Sequence, residues 1–286
     1  MKMDIATAIL KAVLEQAGCP LCRLNGEFER RYVQTLLDEY VNDGPTRLAF
    51  GRSQGLCAWH AWLYQGTEQR LRGDGLKTAI IYESLGTVVQ QTLADYHATP
   101  APTGARGSWR NVLRRGLAHC GRWGRRLAAR LDDHAPGAAL GKRLAPMDEC
   151  PVCAMLRRRE ELYLGKLVEG LADPQFLSRF MASDGLCLPH LRRALACASD
   201  IEQVHALVTA AQVHLGALLT HARAYLEKHR WADRPELRQP WEEASWIRLV
   251  AFFAGEAKGE EDDPLWDLRH QALERYHMRP RGAPSG

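Results

Sequence analysis

The sequence writes one pair of motifs twice. "CPLC" at 19–22 is followed by "GLCAWH" at 55–60, and "CPVC" at 150–153 by "GLCLPH" at 185–190. Cys19, Pro20, Cys22, Glu29, Tyr32 and Leu36 align with Cys150, Pro151, Cys153, Glu160, Tyr163 and Leu167 at an offset of 131. Phe50, Gly55, Leu56, Cys57 and His60 align with Phe180, Gly185, Leu186, Cys187 and His190 at 130. A single gap between two in-phase halves reads as an internal duplication. Few folds can satisfy the same set of three Cys and one His twice.

Each copy supplies three Cys and one His, the donor set of a closed tetrahedral zinc site. The ligands are Cys19, Cys22, Cys57 and His60, then Cys150, Cys153, Cys187 and His190. The spacings are C-x2-C-x34-C-x2-H and C-x2-C-x33-C-x2-H. Residues i and i+3 at the start of a helix share a face, so each pair can aim at one point. Pro after the first Cys suits the first helical position, because its φ is preset and it has no N–H to satisfy. The positive end of a helix also favours the thiolate.

The simplest assignment is one self-contained set per copy, with two zinc ions per chain. Exchange of ligands between the copies, with one site built from both halves, stays open. Thiolate-rich sets also hold iron–sulfur clusters, so an iron–sulfur or thiol-based redox or sensor protein is the alternative. Covalent haem is disfavoured by Arg23 and Ala154, which stand where His is needed.

The periodicity is helical throughout. Phe28, Tyr32, Leu36 and Tyr40 fall at i, i+4, i+8 and i+12, and Leu156, Tyr163, Leu167, Val168 and Leu171 repeat the pattern. "NDGP" at 42–45 and "ADP" at 172–174 stop these helices. A Gly-led turn then starts a helix near Cys57 or Cys187, and a long helix closes each copy, at 75–98 and 200–230. No strand alternation appears, so the expected class is all-α. Pro240, Glu242, Glu243 and Gly255 bound one further helix. The expected organisation is 1–98 and 150–230 as helical metal-binding units, 99–149 as a connector, and 231–286 as a helix with a flexible acidic tail.

The net charge of +4 is unevenly placed. Ten basic residues and two acids between 105 and 143 give +8 there, so the remainder sums to −4. With Trp109 and Trp123 among the arginines, that connector suits nucleic-acid backbone or an anionic membrane surface. Gly116, Gly121 and Gly124 weaken it as a helix.

No secretory signal and no apolar run of membrane-spanning length is present, which points to the cytoplasm. There is no G-x-S-x-G, Walker loop, G-x-G-x-x-G or H-E-x-x-H, so no catalytic residue is assigned. Cys197 reads as a buried helix residue and Cys120 as a free thiol in the connector. His205, His214 and His221 read as residues of one helix rather than ligands.

With "CPLC", "GLCAWH", "CPVC", "GLCLPH" and, less firmly, "SWIRLVAFFAG", the chain resembles a family of uncharacterised bacterial and archaeal proteins. Its members carry two C-P-x-C motifs, each followed by G-[LF]-C-x-x-H. The resemblance covers about 5–98 and 145–255 and implies the paired sites, but no activity. Together these readings give a non-enzymatic, metal-stabilised scaffold or adaptor with a protein partner. The alternatives are the redox reading and nucleic-acid binding through 105–143.

Overall fold

The computed structural model describes residues 5–98, 138–231, 239–256, 271–272 and 274–276. All regular structure among them is α-helical: α1 (Ile5–Leu14), α2 (Pro20–Asp38), α3 (Gly44–Arg52), α4 (Ala58–Arg72), α5 (Leu76–Ala98), α6 (Ala138–Arg143), α7 (Pro151–Gly170), α8 (Pro174–Ala182), α9 (Leu188–Cys197), α10 (Ile201–Trp231) and α11 (Pro240–Ala254). The order α2–α5 after the first C-P-x-C matches the order α7–α10 after the second. Residues 99–137 of the connector, including Cys120, lie outside the described residues, and the last two of its basic residues, Lys142 and Arg143, end α6.

The chain forms two compact units that do not follow chain order. Unit 1 comprises Met1–Arg31 and Met155–Gly286, and unit 2 is Tyr32–Ala154. Thus α2 starts in unit 1 and ends in unit 2, and α7 does the reverse.

In unit 1, Leu10, Val13 and Leu14 of α1 share a core with Leu21 and Leu24 of α2, Leu164, Leu167 and Leu171 of α7 and its end, and Phe176 and Phe180 of α8. Phe176 and Phe180 are 0% and 1% exposed. Burial of this extent contributes about 1.5–3 kcal/mol per side chain before packing effects. A second cluster joins Leu218 of α10 to Ala244 and Phe252 of α11, together with Ala272 and Tyr276.

In unit 2, Val33, Leu36, Leu37, Phe50, Leu63, Tyr64 and Ile81 are buried. Buried Glu68 of α4 accepts from the backbone N–H groups of Lys77 (2.7 Å) and Thr78 (2.8 Å), capping α5 across its start.

Two sequence expectations change in detail. The turns "NDGP" and "ADP" do more than end the preceding helices. Asp43 accepts from Thr46 N–H at 2.9 Å and Asp173 from Gln175 N–H at 3.0 Å, so each also caps the helix that follows. The buried face of α2 runs through Leu21, Leu24, Glu29, Val33, Leu36 and Leu37, and Tyr40 is 38% exposed beyond its end. A strict i+4 series precesses by about 40° per step around a helix of 3.6 residues per turn, which carries Tyr40 off the face that Phe28 starts.

Candidate metal centres

All four ligand pairs occupy the same local position. Cys19, Cys57, Cys150 and Cys187 immediately precede α2, α4, α7 and α9. Their carbonyls accept the first helical bond, from Arg23 (3.1 Å), Ala61 (2.9 Å), Ala154 (3.0 Å) and Leu191 (2.8 Å). Cys22, His60, Cys153 and His190 sit three residues on, the positions joined by a capping box. Every pair thus stands at the positive end of a helix dipole. Gly55 (φ +92°) and Gly185 (φ +64°) take the left-handed backbone that turns the chain into α4 and α9.

Tertiary structure pairs these helix starts across the repeat. Cys19, Cys22, Cys187 and His190 form site 1, within unit 1. Cys57, His60, Cys150 and Cys153 form site 2, within unit 2. The ligand atoms of each site lie within 4.8 Å of one another. All eight residues anticipated from the sequence are used. The self-contained sets, Cys19 and Cys22 with Cys57 and His60, and Cys150 and Cys153 with Cys187 and His190, do not form. The exchanged arrangement is the one observed.

Chain geometry explains why. A helix rises about 1.5 Å per residue, so α2 and α7 carry the chain about 25 Å from Cys22 and Cys153. The nine-residue helices that follow span only about 14 Å, roughly half that distance. They arrive instead beside the other copy's C-P-x-C, where hydrogen bonds fix the meeting. In site 1, Gly18 N–H donates to Asp184 Oδ2 at 2.8 Å. In site 2, Met147 N–H and Asp148 N–H donate to the Arg52 carbonyl at 2.8 and 3.2 Å, and the Arg52 guanidinium binds Asp148 at 2.6 Å.

The interatomic distances match one tetrahedral ion. With Zn–S near 2.3 Å and Zn–N near 2.05 Å, tetrahedral edges are about 3.8 Å for S···S and about 3.5 Å for S···N. In site 1, Cys22 Sγ lies 3.6 Å from Cys187 Sγ. His190 Nδ1 lies 3.4, 3.3 and 3.1 Å from the sulfurs of Cys19, Cys22 and Cys187. In site 2, Cys57 Sγ lies 3.8 Å from Cys153 Sγ. His60 Nδ1 lies 3.1, 3.5 and 3.4 Å from the sulfurs of Cys57, Cys150 and Cys153. A disulfide needs about 2.05 Å, so these are thiols converging on a point.

Both histidines present Nδ1. The far nitrogen of His190, Nε2, meets Glu160 at 3.0 Å, and Glu160 also pairs with Arg193. A carboxylate behind a ligating imidazole fixes its tautomer and orientation. Glu29, which aligns with Glu160, is buried, at 4% exposure.

Without a cation the thiols of a site cannot all ionise. Burial and the neighbouring Cys150 push Cys153 up to about 12. Burial also opposes ionisation of Cys150, but His60 and backbone N–H groups draw it down to about 6. In site 1, hydrogen bonds from Cys19 and Cys22 bring Cys187 down to about 4, while the bond with Cys187 raises Cys22 far above the thiol range. A bound dication removes that conflict by taking all three thiolates.

Site 1 has a further layer. Glu256 N–H donates to Cys22 Sγ at 3.4 Å, and Cys19 N–H donates to Glu256 Oε1 at 3.2 Å. Arg248, 4% exposed, holds the Glu256 carboxylate through two bonds of 2.8 and 2.6 Å.

The remaining candidates stay outside both sites. Cys197 is exposed rather than buried. His214 and His221 pack their rings against Tyr276 at 6.3 and 5.7 Å, and His205 is exposed. The sequence reading passed over Glu160, although its in-phase recurrence with Glu29 was the available signal. Asp184, Arg52, Asp148 and Glu256 carried none, since each acts on a residue remote in the chain, and Arg248 acts only through Glu256.

Fold and site define an all-helical protein with two interlaced Cys3His groups, each able to hold a metal ion. The chain belongs to a family of unknown function, DUF6062, which it matches over residues 1–213. No curated protein and no solved structure matches it. No described helix is long and apolar enough to cross a membrane.

Proposed function

We propose that this is a two-zinc protein whose ions are structural, serving as a scaffold or adaptor for a protein partner. The observation that carries the reading is the closure of both sites. Four protein ligands whose donor atoms lie within 4.8 Å of one another leave no position for substrate or water, the mark of structural rather than catalytic zinc. Zinc is favoured over an iron–sulfur cluster because a cluster spreads its ligands over several irons, whereas each set here closes to within 4.8 Å around one point. The reduced thiols such sites need suit a cytoplasmic location.

The scaffold role draws support from surface chemistry. On α11, Trp246, Val250 and Phe253 are 47%, 60% and 58% exposed and recur at i, i+4 and i+7, an apolar stripe facing away from the core. The repeated motifs and repeated helix order fit an origin by duplication.

Anaerobic purification with elemental analysis tests the proposal. A colourless protein with two zinc ions per chain is expected. A brown protein containing iron and sulfide would replace the reading with the iron–sulfur alternative, and a metal-free protein would remove it.

A further inference from the structure

The two sites differ in what covers them. The backbone after α11 runs directly over the sulfurs of site 1. A Cβ on Gly255 would lie 3.4 Å from Cys22 Sγ and 4.0 Å from Cys187 Sγ, in van der Waals contact with both, and the positive φ of +86° is what selects glycine here. The next residue, Glu256, donates its N–H to Cys22 and accepts from Cys19 N–H. Its carboxylate is neutralised by Arg248 from within α11, two turns back. The second ligand pair is tied to the same helix, since Leu188, beside Cys187, packs on the cluster built from Ala244 and Phe252. Unit 2 ends at Ala154 and contains no part of this segment.

We infer that residues 240–256 form a lid on site 1, so that ion retention there and docking of α11 are one linked equilibrium, and site 2 holds the more labile ion. The inference rests on reading both groups as metal sites. An N–H bond to a ligand sulfur and a covering backbone slow thiolate exchange and solvent attack, and outer-layer contacts of this kind commonly change metal affinity 10–100-fold. Linkage makes the effect reciprocal: whatever loosens the lid loosens the ion, and loss of the ion loosens the lid.

The test uses the zinc-loaded full chain and the rate of zinc transfer to a chromogenic chelator. Wild-type protein is expected to release its two ions in two phases, and Cys57→Ser to retain only the slow one. Glu256→Ala keeps all eight ligands and is expected to speed the slow phase by about 10–100-fold, or abolish it, while the fast phase is unchanged. Hydrogen exchange over 240–256, followed by mass spectrometry, is expected to rise in Cys187→Ser and not in Cys57→Ser. The lid is overturned if wild type releases both ions at one rate, or if Glu256→Ala leaves both phases unaltered or shifts them equally. Zinc content is measured first. Absence of zinc from wild-type protein overturns the metal reading and the lid with it, whereas two zinc ions with uniform release overturn the lid alone.

Discussion

Cys22 and Cys187 stand 165 positions apart in the chain, yet their sulfurs are 3.6 Å apart, closing a site that neither half of the sequence completes. The other site nests inside it, with Cys57 and Cys153 separated by 96 positions and 3.8 Å. This nesting makes the pairing open to direct test.

Double substitutions discriminate the two pairings by counting ions. Cys19→Ser with Cys187→Ser strikes site 1 twice and should cost one zinc per chain. Cys19→Ser with Cys57→Ser strikes both sites and should cost two. Self-contained sets require the opposite counts, so elemental analysis of the two variants decides the matter.

Metal removal should destabilise the whole protein, because each ion joins helix starts that are distant in the chain. Structural zinc contributes on the order of 10 kcal/mol in small domains. Chelation under reducing conditions is expected to lower the thermal midpoint sharply and to restore it on adding zinc. A melting curve unaltered by complete zinc removal would contradict a structural role.

Glu160→Gln should weaken site 1 selectively. The substitution keeps the shape but removes the charge that faces His190 Nε2 at 3.0 Å. Competition with a chelator of known affinity is expected to show a loss of about 10–100-fold for one ion and none for the other.

Glu68→Ala should destabilise unit 2 without changing its zinc content. It leaves the Lys77 and Thr78 N–H groups, now capped at 2.7 and 2.8 Å, without their carboxylate. The cost of losing a buried cap of this kind is about 1–3 kcal/mol, readable by denaturant titration.

Gly55→Ala and Gly185→Ala should differ in severity. Both impose left-handed backbone on a side chain, at about 1–2 kcal/mol. At Gly55 the added carbon also meets Tyr82 and Leu85 at 3.3 Å, whereas at Gly185 the nearest atom is 4.0 Å away. Equal losses of stability would show that the crowding at Gly55 is relieved by small side-chain shifts.

Local pattern determined much of this protein. Helical spacing gave the class, Pro20, Pro151 and Pro240 marked helix starts, and the in-phase recurrence of six Cys and two His named every member of the two Cys3His groups. These are short-range properties: a cap, a turn or an i, i+3 pair is set by a few neighbouring residues. Which pair meets which was decided only by tertiary structure. Two straight helices near 30 Å long carry each C-P-x-C away from the G-L-C that follows it, and contacts such as Gly18 to Asp184 and Asp148 to Arg52 join segments that no local pattern relates. The same holds for Glu256, an ordinary acid in an acidic tail by sequence, which reaches Cys19 and Cys22 only because α11 packs on α10 and delivers it there.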